Sequence, residues 1–282
     1  MPSLPSMSGF GSGIRLTLGT AVRTLAISIT LLSVTLQPAA SQTIDELIHV
    51  GDSLYAALEP EAALEQYRAA LFIDASHYDA LWKFARTQVD LAKQLIGDQL
   101  EQRRDSMYSE AWLYAAEAVR VDSLGADGHF MLANVLGRLS RTKGGKERVR
   151  FGKEIYDEAA LALRLDPQHD GAEHVLGAWH AEVKRLSGIT KFFAKTFLGG
   201  GYMGIASWDS AVVHLETSVA IRPDHIFHRL ELAEVYIDIG EYTKARDQLE
   251  RVIALPVGDV GDPRYKEAAD RLLEEIREKV QP

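Results

Sequence analysis

Cysteine is absent from the 282 residues. That excludes a thiol nucleophile, a disulfide framework, cysteine-held zinc or iron–sulfur clusters, and a lipidated N-terminal cysteine. Proline is scarce at 9 residues, and no apolar run reaches the length of about 20 that a membrane helix needs. Neither HExxH, nor a GxxxxGK[ST] loop, nor a GxSxG elbow occurs, so the short signatures of zinc hydrolysis, nucleotide binding and serine esterase chemistry are missing. Positive charge is in short supply: 31 Lys and Arg stand against 40 Asp and Glu, a net of −9. A general binder of nucleic acid or anionic membrane should be basic, so nucleic acid is not an expected partner. What is present, 46% apolar and 25% charged residues, suffices for a folded domain with a sizeable core.

Residues 1–41 read differently from the rest. Their only charges are Arg15 and Arg23, followed by the 12-residue apolar run Leu25 to Leu36 and by Gln37-Pro38-Ala39-Ala40-Ser41. Such a run suits the central region of a secretory signal, with Ala39 and Ser41 at the −3 and −1 sites. The expectation is a signal peptide over 1–41 and an exported mature chain of net charge −11, periplasmic or extracellular. An uncleaved N-terminal anchor facing the periplasm, or a buried helix, is the alternative.

From Thr43 onward apolar residues recur at i, i+3, i+4 and i+7, which predicts helices. The sharper signal is self-similarity of the tetratricopeptide type: a small residue at position 8, Ala or another compact residue at 20, large residues between, and Pro near 32. Small residues let two antiparallel helices approach closely, and Pro ends the second helix. Counting from Ile44 places Leu47, Gly51, Leu54, Ala63, Tyr67 and Ala70 on the pattern, and counting from Ile226 places Leu232, Ala233, Tyr236, Ala245, Leu249 and Val252. Between them, Ala85 with Ala111, Ala115 and Ala118, then Ala133 with Ile155, Ala159 and Ala162, then Gly177 with Ala211, Leu215 and Ser218 mark three more units. In these the step from position 8 to 20 is 26, 22 and 34 residues rather than 12, so they carry insertions of 14, 10 and 22. The fold expected is an all-α right-handed α-solenoid of about five tetratricopeptide-like helical hairpins with insertions, approximately over 44–77, 78–125, 126–169, 170–225 and 226–259, with a capping helix over 264–279. An irregular helical bundle is the alternative.

The helices AWLYAAEAVRVD, GKEIYDEAALALRLDPQHDGAEHVLGAWH and WDSAVVHLETSVAIRPDHIFHRLELAEVYIDIGEYTKARDQLERVIALP, with a basic insertion before the third closing helix and a longer aromatic one after the fourth opening helix, resemble the regulator of microtubule dynamics proteins over 109–273. The resemblance implies a tetratricopeptide-like fold. An exported chain would meet no microtubule, so that role is not expected here.

In tetratricopeptide proteins the first helix of each pair lines the concave wall. Carried over, the groove positions are Trp82, Arg86 and Asp90; Phe130, Asn134 and Arg138; His174 and Glu182; and Phe227, Glu234 and Asp238. Aromatic anchors with mixed charge suit a peptide or a partner protein, Arg and Asn fixing a backbone or carboxylate group, although Trp82 and Phe130 are equally suited to packing between units.

Arg138, Arg141, Lys143, Lys146, Arg148, Arg150 and Lys153 face Glu147 alone within 138–153. That stretch reads either as a patch for an anionic partner or as a solvated loop balanced by acidic neighbours. Residues 188–203 carry Phe192, Phe193, Phe197 and Tyr202 with Lys191 and Lys195, which suits either a plug over the groove or a seam, or an element that docks on a membrane surface or partner. Gly199-Gly200-Gly201 reads as a hinge within it. His225 and His228 beside Asp224 read as a helix start, Asp224 at the N-terminus, rather than as a metal site, and His180 as a packed interhelix residue. No cofactor, metal or catalytic residue is expected. The function expected is a non-enzymatic protein-binding scaffold of the cell envelope; the alternatives are a structural subunit that binds through solenoid edges or through 188–203, and a hydrolase with a groove site of His174, Glu182 and Glu234.

Overall fold

The computed structural model describes residues 43–142, 144–197 and 199–280. The expected signal peptide over 1–41 lies outside the described residues, as does Lys143. Twelve α-helices follow one another among the described residues: α1 (Ile44–Ala56), α2 (Pro60–Ile73), α3 (Tyr78–Gln94), α4 (Glu101–Val121), α5 (Ala126–Ser140), α6 (Gly145–Leu165), α7 (Asp170–Arg185), α8 (Gly188–Phe197), α9 (Trp208–Ile221), α10 (Ile226–Asp238), α11 (Tyr242–Ala254) and α12 (Asp262–Ile276). They pair as α1/α2, α3/α4, α5/α6, α7/α9 and α10/α11, which are the five expected hairpins in the expected register.

The small-residue rule explains the pairing. Ala85, Ala133 and Ala233 at position 8 are fully buried, and so is every residue at position 24: Tyr67, Ala115, Ala159, Leu215 and Leu249. Gly51 lies against the Tyr67 ring and Gly177 against Leu215 and the Ala211 carbonyl. A side chain at either glycine would push the two helices of its hairpin apart.

Successive units are joined by one repeated turn. After α2, α4 and α6 the carboxylates of Asp74, Asp122 and Asp166 accept the backbone N–H two residues on, each at 2.9 Å. This is the local side-chain bond that makes Asp a turn residue. The residue three after it is the N-cap of the next helix. His169 caps α7 by accepting from the Ala172 N–H at 3.2 Å, and His225 caps α10 by accepting from the His228 N–H at 3.4 Å. Asp224, expected at this helix N-terminus, is thus displaced by a ring nitrogen one residue on.

The insertions differ from their sequence reading. In units two and three most of the extra sequence becomes helix: α3 has 17 residues, and α4 and α6 have 21 each, against 13 in α1 and α10. The basic stretch 138–153 is therefore no loop but the end of α5, a tight turn and the first turns of α6. The insertion of unit two adds a short 3-10 turn over Asp98–Leu100, and the fourth insertion builds a separate helix, α8, and a 3-10 turn over Gly200–Ile205. Gly199 takes the left-handed conformation at φ 81° that glycine favours, and the turn after it drives Tyr202 into the α6/α7 seam, where its hydroxyl donates to the Val149 carbonyl at 2.6 Å.

The C-terminal helix spans Asp262–Ile276 rather than 264–279. It covers the last hairpin as expected, burying Ala269 and Ile276 completely. It also does something that a cap need not do, and returns to unit two.

Candidate functional site

The concave wall encloses a cavity of about 770 Å³, lined from α1, α3, α5, the first turns of α6, α7, α8, α10 and α12. That volume is in the range of small-molecule and peptide sites, roughly 300–1,000 Å³. Nine of the eleven groove residues expected from sequence line it: Trp82, Arg86, Asp90, Phe130, Asn134, Arg138, His174, Glu182 and Phe227. Glu234 and Asp238 do not. They lie on the α7/α10 flank, where Arg185 draws four carboxylates together: Asp238 at 2.7 Å, Glu182 at 2.9 Å, Glu231 at 3.6 Å and Glu234 at 3.9 Å. Burial and the Glu231 charge push the Glu234 carboxyl up to about 7, against the pull of Arg185.

Aromatic rings form one side of the cavity. The Phe227 ring stacks on Tyr265 of α12 at 4.7 Å and on His174 at 4.8 Å, while Phe130 packs on His169 at 4.6 Å. Trp82 and Phe130, which sequence left between groove and packing, do both: each is half-buried against the core and lines the cavity.

At the α3 end the Arg86 guanidinium lies 3.8 Å over the Tyr55 ring and 5.1 Å from that of Trp82, a cation–π arrangement, and its buried Nε has no hydrogen-bond partner. Tyr55 donates to Asp90 at 2.6 Å, and Lys93 pairs with the other oxygen at 2.9 Å. Asp90 is thus used structurally.

The α7 and α10 wall holds a chain of imidazoles. His228 bonds Asp170 through Nε2 at 2.8 Å and His174 through Nδ1 at 3.1 Å. If Nε2–H donates to the carboxylate, Nδ1 of His228 is an acceptor, and His174 must donate to it. Burial lowers the pKa of both rings, and for His174 the neighbouring His228 and His225 add to the shift; His225 is pushed down to about 2. Burial alone would raise Asp170, but the His228 bond and the charges of His228 and Arg222 outweigh it and hold the carboxyl well below its usual range. His228 therefore spends both ring nitrogens on protein partners. The trio His174, Glu182 and Glu234 does not assemble, since His174 is tied to His228 and both carboxylates turn to Arg185.

The basic stretch divides in two. Arg138, Arg141 and Arg148 face the central cavity, and among the described residues none of the three has an ion pair. Lys146, Arg150 and Lys153 line a second hollow beside Tyr202. There Glu147 and Glu154 approach Arg150, and Lys153 donates to Asp157 at 2.5 Å, so this half is balanced by acidic neighbours. Of the aromatic insertion, Phe192 is exposed and Tyr202 is packed inward; the side chains of Phe193 and Phe197 lie outside the described residues. His180 is buried, edge-on to Trp179 at 5.1 Å.

Sequence reasoning missed Tyr55, Lys93, Asp170, Glu231 and the C-terminal residues Asp259 and Tyr265, all in the cavity wall. One signal was present. Asp74-x-x-His77, Asp166-x-x-His169 and Arg222-x-x-His225 recur at the same place in three units, which marks the N-cap positions; His169 and His225 cap through a ring nitrogen there and His77 does not.

Stacked helical hairpins around a concave cavity define a tetratricopeptide-repeat solenoid. A solved structure with this fold, TTC0263, a thermophilic TPR protein in Thermus thermophilus, superposes with a TM-score of 0.58 over 81% of this chain and 100% of that one, at 20% identity. The family model for regulator of microtubule dynamics protein 1-3 matches residues 44–277, and the chain belongs to that family. Among cattle (Bos taurus) relatives, regulator of microtubule dynamics protein 3 is 22% identical over 201 residues, 71% of this chain and 42% of that protein. Regulator of microtubule dynamics protein 1 is 26% identical over 155 residues, 54% and 47% of the two chains. The chain thus spans less than half the length of these curated relatives.

Proposed function

We propose that the protein is a non-enzymatic scaffold that holds an acidic segment of a partner protein in its central cavity. The observation that carries this is the trio Arg138, Arg141 and Arg148, which lines the cavity with no ion pair among the described residues, Arg138 lying 5.9 Å from the Phe227 ring of the aromatic side. Unpaired guanidinium groups in a partly dry site favour carboxylates, which they bind through paired hydrogen bonds, and aromatic faces supply apolar burial for the intervening side chains. His174 and His228 are spent on one another and Asp170, and Glu182, Glu231, Glu234 and Asp238 are gathered on Arg185, which supports binding rather than turnover. The run at 25–36 supports an exported protein of the cell envelope, and N-terminal sequencing of the mature chain tests that part.

Binding is tested by fluorescence polarisation with two labelled random peptide pools, one enriched in Asp and Glu, the other in Lys and Arg. The acidic pool should bind, and Arg138→Glu with Arg141→Glu should weaken it more than tenfold, since each lost tenfold in affinity corresponds to about 1.4 kcal/mol and a charged pair carries roughly that. Equal binding of both pools, or no loss in a folded double variant, removes this assignment.

A further inference from the structure

A repeat in a solenoid touches only its neighbours. Arg264 of α12 departs from this: its Nη1 donates at 2.6 Å to the carbonyl of Lys93, 171 residues earlier, across the whole of units three to five. That carbonyl belongs to the last turn of α3, where a helix leaves its final C=O groups without internal partners and carries the negative end of its dipole. A guanidinium is the side chain suited to that position. Just inside this contact, Asp90 and Lys93 of unit two and Asp259 and Tyr265 of the C-terminal segment line the same cavity.

The two sides of this seam are unequal in their anchoring. The turn before α12 is tied to itself, the Asp262 carboxylate accepting from the Gly258 and Asp259 N–H groups at 2.8 Å each. Behind it Ala269 and Ile276 are buried on the last hairpin, and Tyr265 stacks on Phe227. The C-terminal segment thus belongs to unit five as one body. Toward α3, Arg264 supplies a hydrogen bond, whereas the Asp90 charge adds to the burial that disfavours ionised Asp259. Two carboxylates and one ammonium meet there.

We propose that Arg264 is a clasp that ties the C-terminal segment of unit five to α3 and so holds the solenoid closed on itself beside its cavity. The clasp has a test that needs no ligand. The chain has no cysteine, so Gln99→Cys and Asp270→Cys, both at exposed positions, accept spin labels without background. Double electron–electron resonance on the full domain should give one narrow distance distribution. Arg264→Glu, which sets a carboxylate against the α3 carbonyls, should broaden it and move it outward by about one helical turn, ~5 Å, while Arg264→Lys keeps it narrow. Arg264→Gln, which removes the charge with little change in bulk, should fall between and guards against misfolding of the Glu variant. A distribution that is unchanged in both the Glu and Gln variants, or that is already broad in the parent, overturns the clasp. Peptide-pool binding that fails while the distances move as expected would remove the ligand assignment and leave the clasp standing.

Discussion

The end units and the middle units solve the same packing problem with different amounts of chain. In unit one and unit five the two helices are 13 or 14 residues long and the turn between them is the same to the residue. Leu58 and Gly240 both occupy position 15 with left-handed backbone, φ 62° and 82°, and the following N–H reaches back to Leu54 and Tyr236 at 2.9 and 2.8 Å. Units two to four keep the buried positions of this lattice and lengthen everything else. The added turns of α4 and α6 and the separate α8 segment lie beyond the region where two helices must touch. They extend the core with Tyr108, Val149 and Phe151 and also carry groups that it does not need, including Arg148 in the cavity wall. Repetition supplies most of the core and the opening-helix residues of the cavity, and departure from repetition adds to both.

The strongest way to break this comparison is to enlarge the small residue at the helix crossing. A Cβ at Gly177 would meet Leu215 Cγ at 2.6 Å and the Ala211 carbonyl oxygen at 3.1 Å, whereas at Gly51 it would meet only the Tyr67 ring, at 2.6 Å. Overpacking costs about 1–3 kcal/mol, while Gly to Ala within a helix returns about 1 kcal/mol. Gly177→Ala should lose ~2 kcal/mol in urea melts, because backbone cannot yield, and Gly51→Ala under ~1 kcal/mol because a ring can turn. Equal losses would mean that the inserted and uninserted hairpins are not differently constrained.

The shared turn gives a second, smaller effect. A non-glycine residue pays about 1 kcal/mol for left-handed backbone, so Gly240→Ala should destabilise by roughly that amount. Leu58→Gly should gain less, since glycine also loses more freedom on folding. Opposite signs for the two substitutions, read by thermal denaturation, would establish that the turns are equivalent, and a loss at Leu58 would show that its half-buried side chain matters more than its backbone.

The smallest expected effect concerns pH at the α7/α10 flank. The Glu234 carboxyl is raised in the folded protein from 4.5 to about 7, so the native state holds its proton more tightly than the unfolded chain does. Its contribution to stability is present below pH 4.5 and is lost as pH rises toward 7. Glu234→Gln should therefore raise the thermal midpoint at pH 8 and leave it unchanged at pH 4, the partial exposure of this side chain keeping the shift modest. A midpoint that moves equally at both values would make the effect one of packing.

Much of the fold was legible because its signals are local. Gly51 with Ala63, or Ala233 with Ala245, stand 12 residues apart in consecutive helices that pair with one another. The same counting, stretched, located Gly177 and Ala211 across 34 residues, since each end of an insertion resumes the pattern. The site was legible where it repeats: positions on opening helices gave Arg86, Asn134 and Arg138. It failed at Glu234 and Asp238, because Arg185, outside the pattern, pulls them to the flank. It failed also for the basic stretch, where a charge count cannot distinguish a loop from a helix with one face inward.

By itself, the chain's spacing of small and large residues determined five antiparallel hairpins, their order and their register. Helix periodicity and side-chain volume act over a dozen residues and need no distant partner. Only the tertiary structure decided that Lys93, Arg138, His174 and Tyr265 share one cavity, and that Arg264 reaches back across it to α3. Their meeting depends on the curvature of the stack, a sum of small rotations at every interface between units, and a sum of that kind is written in no single stretch of sequence.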